Sequence, residues 1–256
     1  MPRNTLKLCV SHCTIRFSTV QQPYIIALRS AISLLPPSFT PMQILRDIDE
    51  HGWASVPGIQ DTSALIKLAR SLGKPLRNGR EQIVSELRVM PNAAARPFTL
   101  SSVFGTGSFP LHTDTAFWRV PARFLVMRAN GDLRRSTTVC HIRALAALAG
   151  GELTEMMMKS IWTLRKAGGS RYCQMALSFR GRYLGYRYDG QCMAPANESA
   201  RKVETYISAG VPTAAVHEIA WRSETAVVIS NWQCLHGRGP EPPNEEQRIL
   251  QRIYVE

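Results

Sequence analysis

The sequence lacks the features that mark several classes of protein. None of its six cysteines forms a CxxC pair, and a chain of 256 residues can bury an apolar core without disulfide bonds. No apolar run approaches the ~20 residues that span a bilayer. The sequence also has no internal repeat, zinc-finger spacing or RNA-recognition signature. We therefore expect reduced thiols in a cytoplasmic protein without a membrane partner, and no motif supports a nucleic-acid partner.

Acidic residues are missing from two long stretches of the chain. Residues 1–46 contain five basic residues and no acid, and residues 156–188 contain seven basic residues and no acid. The net charge is +12. One interpretation is a solvated basic surface, and the other is attraction to a carboxylate, a phosphate or nucleic acid. We predict that residues 1–37 form a basic N-terminal extension and that residues 38–256 form one domain.

Two amphipathic helices are predicted at the start of this domain. Residues 38–58 show an apolar face at helical spacing, with Gly52 as the stop signal. Residues 61–75 repeat the pattern, with Asp61 or Thr62 as the N-cap.

After these helices the pattern changes to strands, with helices inserted in long connections. Residues 173–190 are typical of a hairpin that turns at Arg180-Gly181, and Asn197 is placed to begin another helix. The pattern predicts an α+β fold that is mainly β, with a sandwich or barrel decorated by helices.

A candidate metal site begins in the segment FPLHTDTAFW, residues 109–118. In an extended segment His112 and Asp114 point the same way and can bind one ion together. His236 follows a buried strand and precedes Gly237, where the backbone can approach an ion closely. Two histidines and one carboxylate leave three coordination positions open, which suits non-haem Fe(II) and O₂.

Three motifs carry a resemblance to a known family. His112-Thr113-Asp114, NWQCLHGR (231–238) and QRILQRIYV (247–255), in this order, resemble Fe(II)/2-oxoglutarate-dependent dioxygenases of the taurine dioxygenase and clavaminate synthase type. The similarity extends over residues 40–256. It implies a double-stranded β-helix, or jelly roll, with N-terminal helices and a helical insertion. It also implies Fe(II), with 2-oxoglutarate and O₂ as cosubstrates, and hydroxylation or desaturation of a substrate with release of succinate and CO₂.

The resemblance also assigns arginines and a threonine. Arg248 matches the arginine that binds the distal carboxylate of 2-oxoglutarate, where a guanidinium can make two parallel hydrogen bonds. Arg252, on the same side of the strand, is expected to bind a second anionic group or else to lie on the surface. Thr137 is preferred over Thr138 for contact with the cosubstrate. The family usually has Gly-Asp/Glu-Thr where this chain has Arg135-Ser136-Thr137, so both threonines stay open.

The substrate implied by this resemblance is a small metabolite that is anionic or similar to an amino acid. Phe109 and Phe117 are candidates to line its pocket, and Arg187 and Arg252 to hold its anionic group. Aromatic residues beside a core strand are more often part of the core. Two alternatives stay open: an oxygenase that acts on a nucleic acid or protein through residues 156–188, and a non-catalytic metal-binding relative.

Overall fold

A computed structural model describes residues 41–78, 82–97, 99–166, 169–242 and 249–256. The predicted extension 1–37 and Arg248 lie outside the described residues. The helices are α1 Pro41–His51, α2 Thr62–Leu72, α3 Leu100–Phe104, α4 Ile142–Ala149, α5 Gly151–Lys159 and α6 Glu198–Ser208. The strands are β1 Trp53–Pro57, β2 Pro75–Leu76, β3 Val84–Arg88, β4 Phe124–Ala129, β5 Leu133–His141, β6 Ile161–Lys166, β7 Gly169–Gln174, β8 Ala176–Phe179, β9 Arg182–Tyr186, β10 Met193–Pro195, β11 Val216–Trp221, β12 Thr225–Ser230, β13 Cys234–Arg238 and β14 Ile249–Val255.

The strands form antiparallel sheets, so the predicted mainly β architecture is confirmed. The largest sheet has the order β1-β12-β4-β14, and both β2 and β3 pair with β14. A second sheet has the order β11-β5-β13. Strands β10-β6-β7 and the hairpin β8-β9 complete the set described.

Helices α1 and α2 cover the outer face of the large sheet. The side chain of Asp61 accepts a hydrogen bond from the Ala64 amide and caps α2, so the predicted start of that helix is confirmed. Leu65 and Leu68 of α2 then pack with Val126 and Val228 of the sheet in one apolar cluster. Within the described part of the chain, no helix has the length and apolar character needed to cross a membrane.

A second apolar cluster fills the space between the two main sheets. Leu125 and Ile229 project into it from the large sheet, and Val139 and Trp221 project into it from the small sheet. Residues of β4 alternate strictly, because Phe124 and Val126 face the helices while Leu125 and Met127 face this interior. The site described below lies at one end of this interior.

The helices α4, α5 and α6 form the insertion and bury a third cluster, which includes Leu145, Met157 and Val203. The side chain of Asn197 caps α6, as predicted. The predicted hairpin is also confirmed, because Arg180 and Gly181 take positive φ angles of 50° and 75° in the turn between β8 and β9.

Candidate metal centre

The segment that carries His112 lies against the edge strand β13. The amides of His112 and His236 each donate to the carbonyl oxygen of the other at 2.9 Å. Phe109 donates in the same way to the Arg238 carbonyl. This close approach needs Gly237, because a Cβ there would lie 2.6 Å from the Phe109 carbonyl oxygen.

Strand register directs the second histidine into the interior between the sheets. His236 lies directly opposite Val139 of β5, and Val139 belongs to the interior cluster. Directly opposed residues project from the same face, so His236 points inward. His112 lies opposite His236 in turn, and the centroids of the two imidazole rings are 4.5 Å apart.

A fully buried asparagine fixes the backbone of Asp114. The side chain of Asn231 accepts from the Asp114 amide at 3.0 Å and donates to the Asp114 carbonyl at 2.9 Å. Thr113 exchanges hydrogen bonds with the backbone of Tyr188 on the other side. Asn231 begins the motif NWQCLHGR, and the motif alone assigns it no role. Its position directly after the buried strand β12 was the available signal.

The three predicted ligands converge. The Nε2 atom of His112 lies 3.4 Å from Asp114 Oδ1, and the Nε2 atom of His236 lies 3.8 Å from Asp114 Oδ2. One donor atom from each residue lies within 4.8 Å of the other two. An ion bound at ~2.1 Å by ligands at right angles would hold them ~3 Å apart, so the donor atoms need to approach one another by less than ~2 Å. The donor set therefore fits a divalent transition metal.

A backbone contact orients the ring of His112, whereas Nδ1 of His236 is buried without a hydrogen-bond partner among the described residues. The Nδ1 atom of His112 lies 2.9 Å from the Pro110 carbonyl oxygen, which holds the ring with Nε2 inward. Burial and the neighbouring His112 lower the pKa of His236, so this imidazole is neutral and has a lone pair to offer. Burial also acts to lower the pKa of His112, but Asp114 outweighs it and the pKa of His112 is raised.

Arg252 and Tyr254 face the same carboxylate from β14. The Nη1 atom of Arg252 donates to Asp114 Oδ2 at 2.6 Å, and the Tyr254 hydroxyl lies 3.4 Å from that oxygen. Burial alone would raise the pKa of Asp114. The charge of Arg252, together with the two neighbouring imidazoles, outweighs it and holds that pKa well below its usual range. Asp114 is thus ionised at neutral pH and available as a ligand.

Buried arginines hold the chain before and after the two ligands His112 and Asp114. Beyond Asp114, the guanidinium of Arg187 donates to the carbonyl oxygens of Ala116, Trp118 and Arg119. Arg187 therefore contacts backbone in the structure, and its role in substrate binding stays a prediction.

Two further arginines hold the loop that precedes His112. Arg238 donates to the carbonyl oxygens of Gly105 and Gly107, and Arg135 donates to that of Thr106 at 2.6 Å. Three of the arginines that make the chain basic are therefore buried against backbone oxygens.

The remaining predicted residues lie at different depths. Thr137 is buried and shares the inward face with His236, and its hydroxyl accepts from the Trp221 indole at 3.1 Å. Thr138 projects from the opposite face, beside Gly237. The ring of Phe109 stacks under the Arg238 guanidinium at 3.6 Å, whereas Phe117 is 38% exposed.

Comparison with known proteins adds a fold to this geometry. No protein-family model and no curated protein matches the chain. Among solved structures, an asparagine oxygenase in complex with Fe(II), 3-hydroxyasparagine and succinate is 15% identical, with a TM-score of 0.66 over 91% of this chain and 83% of its own. PvcB from Pseudomonas aeruginosa is 19% identical, with a TM-score of 0.61 over 84% and 80%. The non-haem iron oxygenase OrfP, in complex with Fe, succinate and (3S)-hydroxy-L-Arg, is 17% identical, with a TM-score of 0.63 over 90% and 84%. The chain therefore shares the fold of non-haem iron oxygenases, as its motifs predict.

Proposed function

We propose that this protein is an Fe(II)/2-oxoglutarate-dependent oxygenase that hydroxylates a small amino-acid-like or anionic metabolite. The observation that carries this proposal is the convergence of His112, Asp114 and His236, from two separate segments, in the interior of a fold shared with such oxygenases. We also propose that residues 38–256 form one jelly-roll domain and that the protein is cytoplasmic.

His112 and His236 would bind the ion through Nε2, and Asp114 through its carboxylate. The chemistry that Fe(II) supplies in such a site is activation of O₂, coupled to decarboxylation of 2-oxoglutarate and oxidation of a C–H bond. The protein's own residues hold the ligands in place. Asn231 fixes the backbone of Asp114, and Arg187 holds the chain that follows it.

The cosubstrate would lie on the inward face between His236 and the start of β14. Arg248 is proposed to bind its distal carboxylate through two parallel hydrogen bonds. Thr137 is proposed to contact the same carboxylate, because strand register puts Thr137 and His236 on one face and Thr138 on the other.

The substrate is proposed to carry an anionic group, with Arg252 as its partner. One arm of this guanidinium contacts Asp114, which leaves its remaining N–H groups for a carboxylate. Phe109, Phe117 and Arg187 stay predictions as further substrate contacts. The asparagine oxygenase and OrfP structures contain hydroxylated amino acids, which makes free amino acids the first compounds to test. The same comparison favours a small molecule over a nucleic acid or protein substrate, and the complete donor set favours catalysis over a non-catalytic relative.

The test of the metal centre is an anaerobic titration of the protein with Fe(II) and 2-oxoglutarate. We expect a weak visible charge-transfer band in the wild type and in His51→Ala, an exposed histidine at the end of α1, and no band in His236→Ala. With O₂, a screen of amino acids is then expected to find at least one that stimulates succinate release. A band of equal strength in His236→Ala, or none in any of the three proteins, would contradict the proposal.

The two threonines provide a matched pair for the cosubstrate site. We expect Thr137→Ala to raise the 2-oxoglutarate concentration at half-saturation of the band by about tenfold, in the range for a lost hydrogen bond to a charged group. Thr138→Ala is expected to leave it unchanged, and Arg248→Gln to raise it further. The opposite ranking of the two threonine variants would assign the contact to Thr138.

A further inference from the structure

The ion pair between Arg252 and Asp114 has an unusual position for a metal ligand. Both side chains are largely buried, with 14% and 13% of their surface exposed. The guanidinium lies over the ring of Tyr254 at 4.4 Å, and its Nε atom is buried without a hydrogen-bond partner among the described residues. The Tyr254 ring therefore packs against the cation beside the carboxylate.

The guanidinium and the metal position share one carboxylate oxygen. Arg252 contacts Oδ2 of Asp114, which is also the oxygen that lies 3.8 Å from His236 Nε2. An ion placed between the three ligands would lie within a few ångströms of the guanidinium. The guanidinium and the metal ion would then both be attracted to the single carboxylate of Asp114.

The two charges in direct contact at this centre cancel without a metal. Arg252 already balances the negative charge of Asp114, and Asp189 is a further negative charge that acts on His112 from outside this pair. A divalent ion would add two positive charges beside a fixed third in a poorly solvated place, where like charges repel strongly. A ligating carboxylate is usually held by a hydrogen-bond donor. Arg252 is such a donor, but it also brings a full positive charge, which acts against the ion.

We propose that Arg252 competes with the metal ion for Asp114 and lowers the metal affinity of the site. This inference rests on the proposed metal centre and adds a property of this chain's own residues to it. With an ion bound, the negative charge of Asp114 would be shared between the metal and the guanidinium. The positive charge of Arg252 would then be less fully neutralised, so Arg252 would bind an anionic ligand more strongly. By linkage, an anion bound at Arg252 would raise the affinity for the metal by the factor by which the metal raises the affinity for the anion.

The test is an anaerobic titration with Mn(II) alone, in which free Mn(II) is followed by its electron paramagnetic resonance signal. Arg252→Met removes the charge and keeps an apolar chain over Tyr254. Arg252→Lys keeps the charge and loses the planar fork. We expect the methionine variant to bind Mn(II) at least about tenfold more tightly than the wild type, because a repulsion between close charges is removed. The lysine variant is expected to stay within about threefold of the wild type, since its charge is retained.

The sign of the change separates competition from structural damage. A disturbed site binds metal more weakly, so only relief of competition raises the affinity. The control Arg222→Met, which removes an exposed arginine paired with Asp132 far from the centre, is expected to leave Mn(II) binding unchanged. A second readout is the rise in melting temperature on adding Mn(II), which is expected to be larger for Arg252→Met than for the wild type.

Equal or weaker Mn(II) binding by Arg252→Met overturns this inference and leaves the metal centre standing. Should that variant fail to fold, Arg252→Gln, which keeps a hydrogen-bond donor for Asp114 and loses the charge, decides by the same criterion. Binding by the variant but not by the wild type supports the inference in its strongest form. Absence of Mn(II) binding in the wild type and in both uncharged variants contradicts the proposed metal centre itself.

Discussion

The two faces of strand β14 follow different physical rules. Ile253 and Val255 project outward and pack with helix α2 and its neighbours in a purely apolar cluster. Arg252 and Tyr254 project inward, where both contact the carboxylate of Asp114. One strand of seven residues thus contributes to the apolar outer layer, formed by α1, α2 and the outer face of the large sheet, and to a charged interior centre.

The difference lies in what each face requires of its neighbours. An apolar side chain on the outer face needs only a volume to fill, and many neighbours can provide it. A charged side chain on the inner face needs one partner at hydrogen-bond distance, because a buried charge without a partner is costly. We therefore expect substitutions on the outer face to change stability and substitutions on the inner face to change metal binding.

The largest expected effect on stability comes from the outer layer. Leu65 of α2 is completely buried in the apolar cluster over the sheet. Leu65→Ala is expected to lower the free energy of unfolding by about 3–5 kcal/mol through lost burial and a residual cavity. Urea unfolding measures this change. In the absence of urea, Mn(II) affinity is expected to stay at the wild-type value, and a concurrent loss of affinity would show that the two faces are not independent.

The next expected effect concerns Arg187, which holds the chain beside the metal centre. Arg187→Met leaves the carbonyl oxygens of Ala116, Trp118 and Arg119 without their donor. We expect the free energy of unfolding to fall by about 2 kcal/mol and Mn(II) affinity to fall about tenfold, as for loss of groups that orient a ligand. Arg182→Met, an exposed arginine on the β8-β9 hairpin, is the matched control. A stability loss with unchanged Mn(II) affinity would limit Arg187 to a structural role.

The outer layer was predictable from the sequence because its signals are local. Helical spacing and the cap at Asp61 appear within a few residues and appear again in the structure. The turn at Arg180-Gly181, in the separate β8-β9 hairpin, was predictable for the same reason. The pairing of His112 with Asp114 was also local, since residues two positions apart on an extended segment share a face.

The rest of the centre was not predictable because its contacts join distant parts of the chain. Asn231 and Asp114 are 117 positions apart, and Arg252 and Asp114 are 138 apart. Only the sheet register brings such residues together, and a sequence pattern does not contain it. The buried strand before His236 and the glycine after it nominated this histidine as the third ligand, and the structure pairs it with His112. Neither this pattern nor the resemblance carried information about Arg252 as a partner of Asp114.

A smaller effect concerns the place where the two layers meet. His141, at the end of β5, packs against Gly52 and caps helix α4 by accepting a hydrogen bond from the Arg143 amide. Burial, with the nearby charge of Arg143, lowers the pKa of His141 to about 4. The unfolded chain binds this proton near its ordinary pKa of 6.5, so between these values the unfolded state holds more protons than the folded one.

Stability is therefore expected to fall as the pH is lowered through this window. The contribution of His141 is a loss of about 1–2 kcal/mol between about pH 7 and about pH 5. His141→Asn keeps the cap and removes the titrating group, so its unfolding free energy should fall less over the same interval. Urea unfolding of both proteins at the two pH values measures the difference, and parallel losses would contradict a role for this histidine.

The smallest expected effect concerns the N-cap of α2 in the outer layer and its contribution to stability. The carboxylate of Asp61 is exposed and accepts from the Ala64 amide at 2.7 Å. Asp61→Ala is expected to cost about 1 kcal/mol of unfolding free energy, and Asp61→Asn, which can accept the same hydrogen bond, only a few tenths. Neither variant is expected to alter Mn(II) affinity, because α2 touches the sheet on the face turned away from Asp114. A change in metal binding without a change in stability would mean that the outer layer transmits strain through the sheet to the metal centre, and that the two faces of β14 cannot be treated as separate.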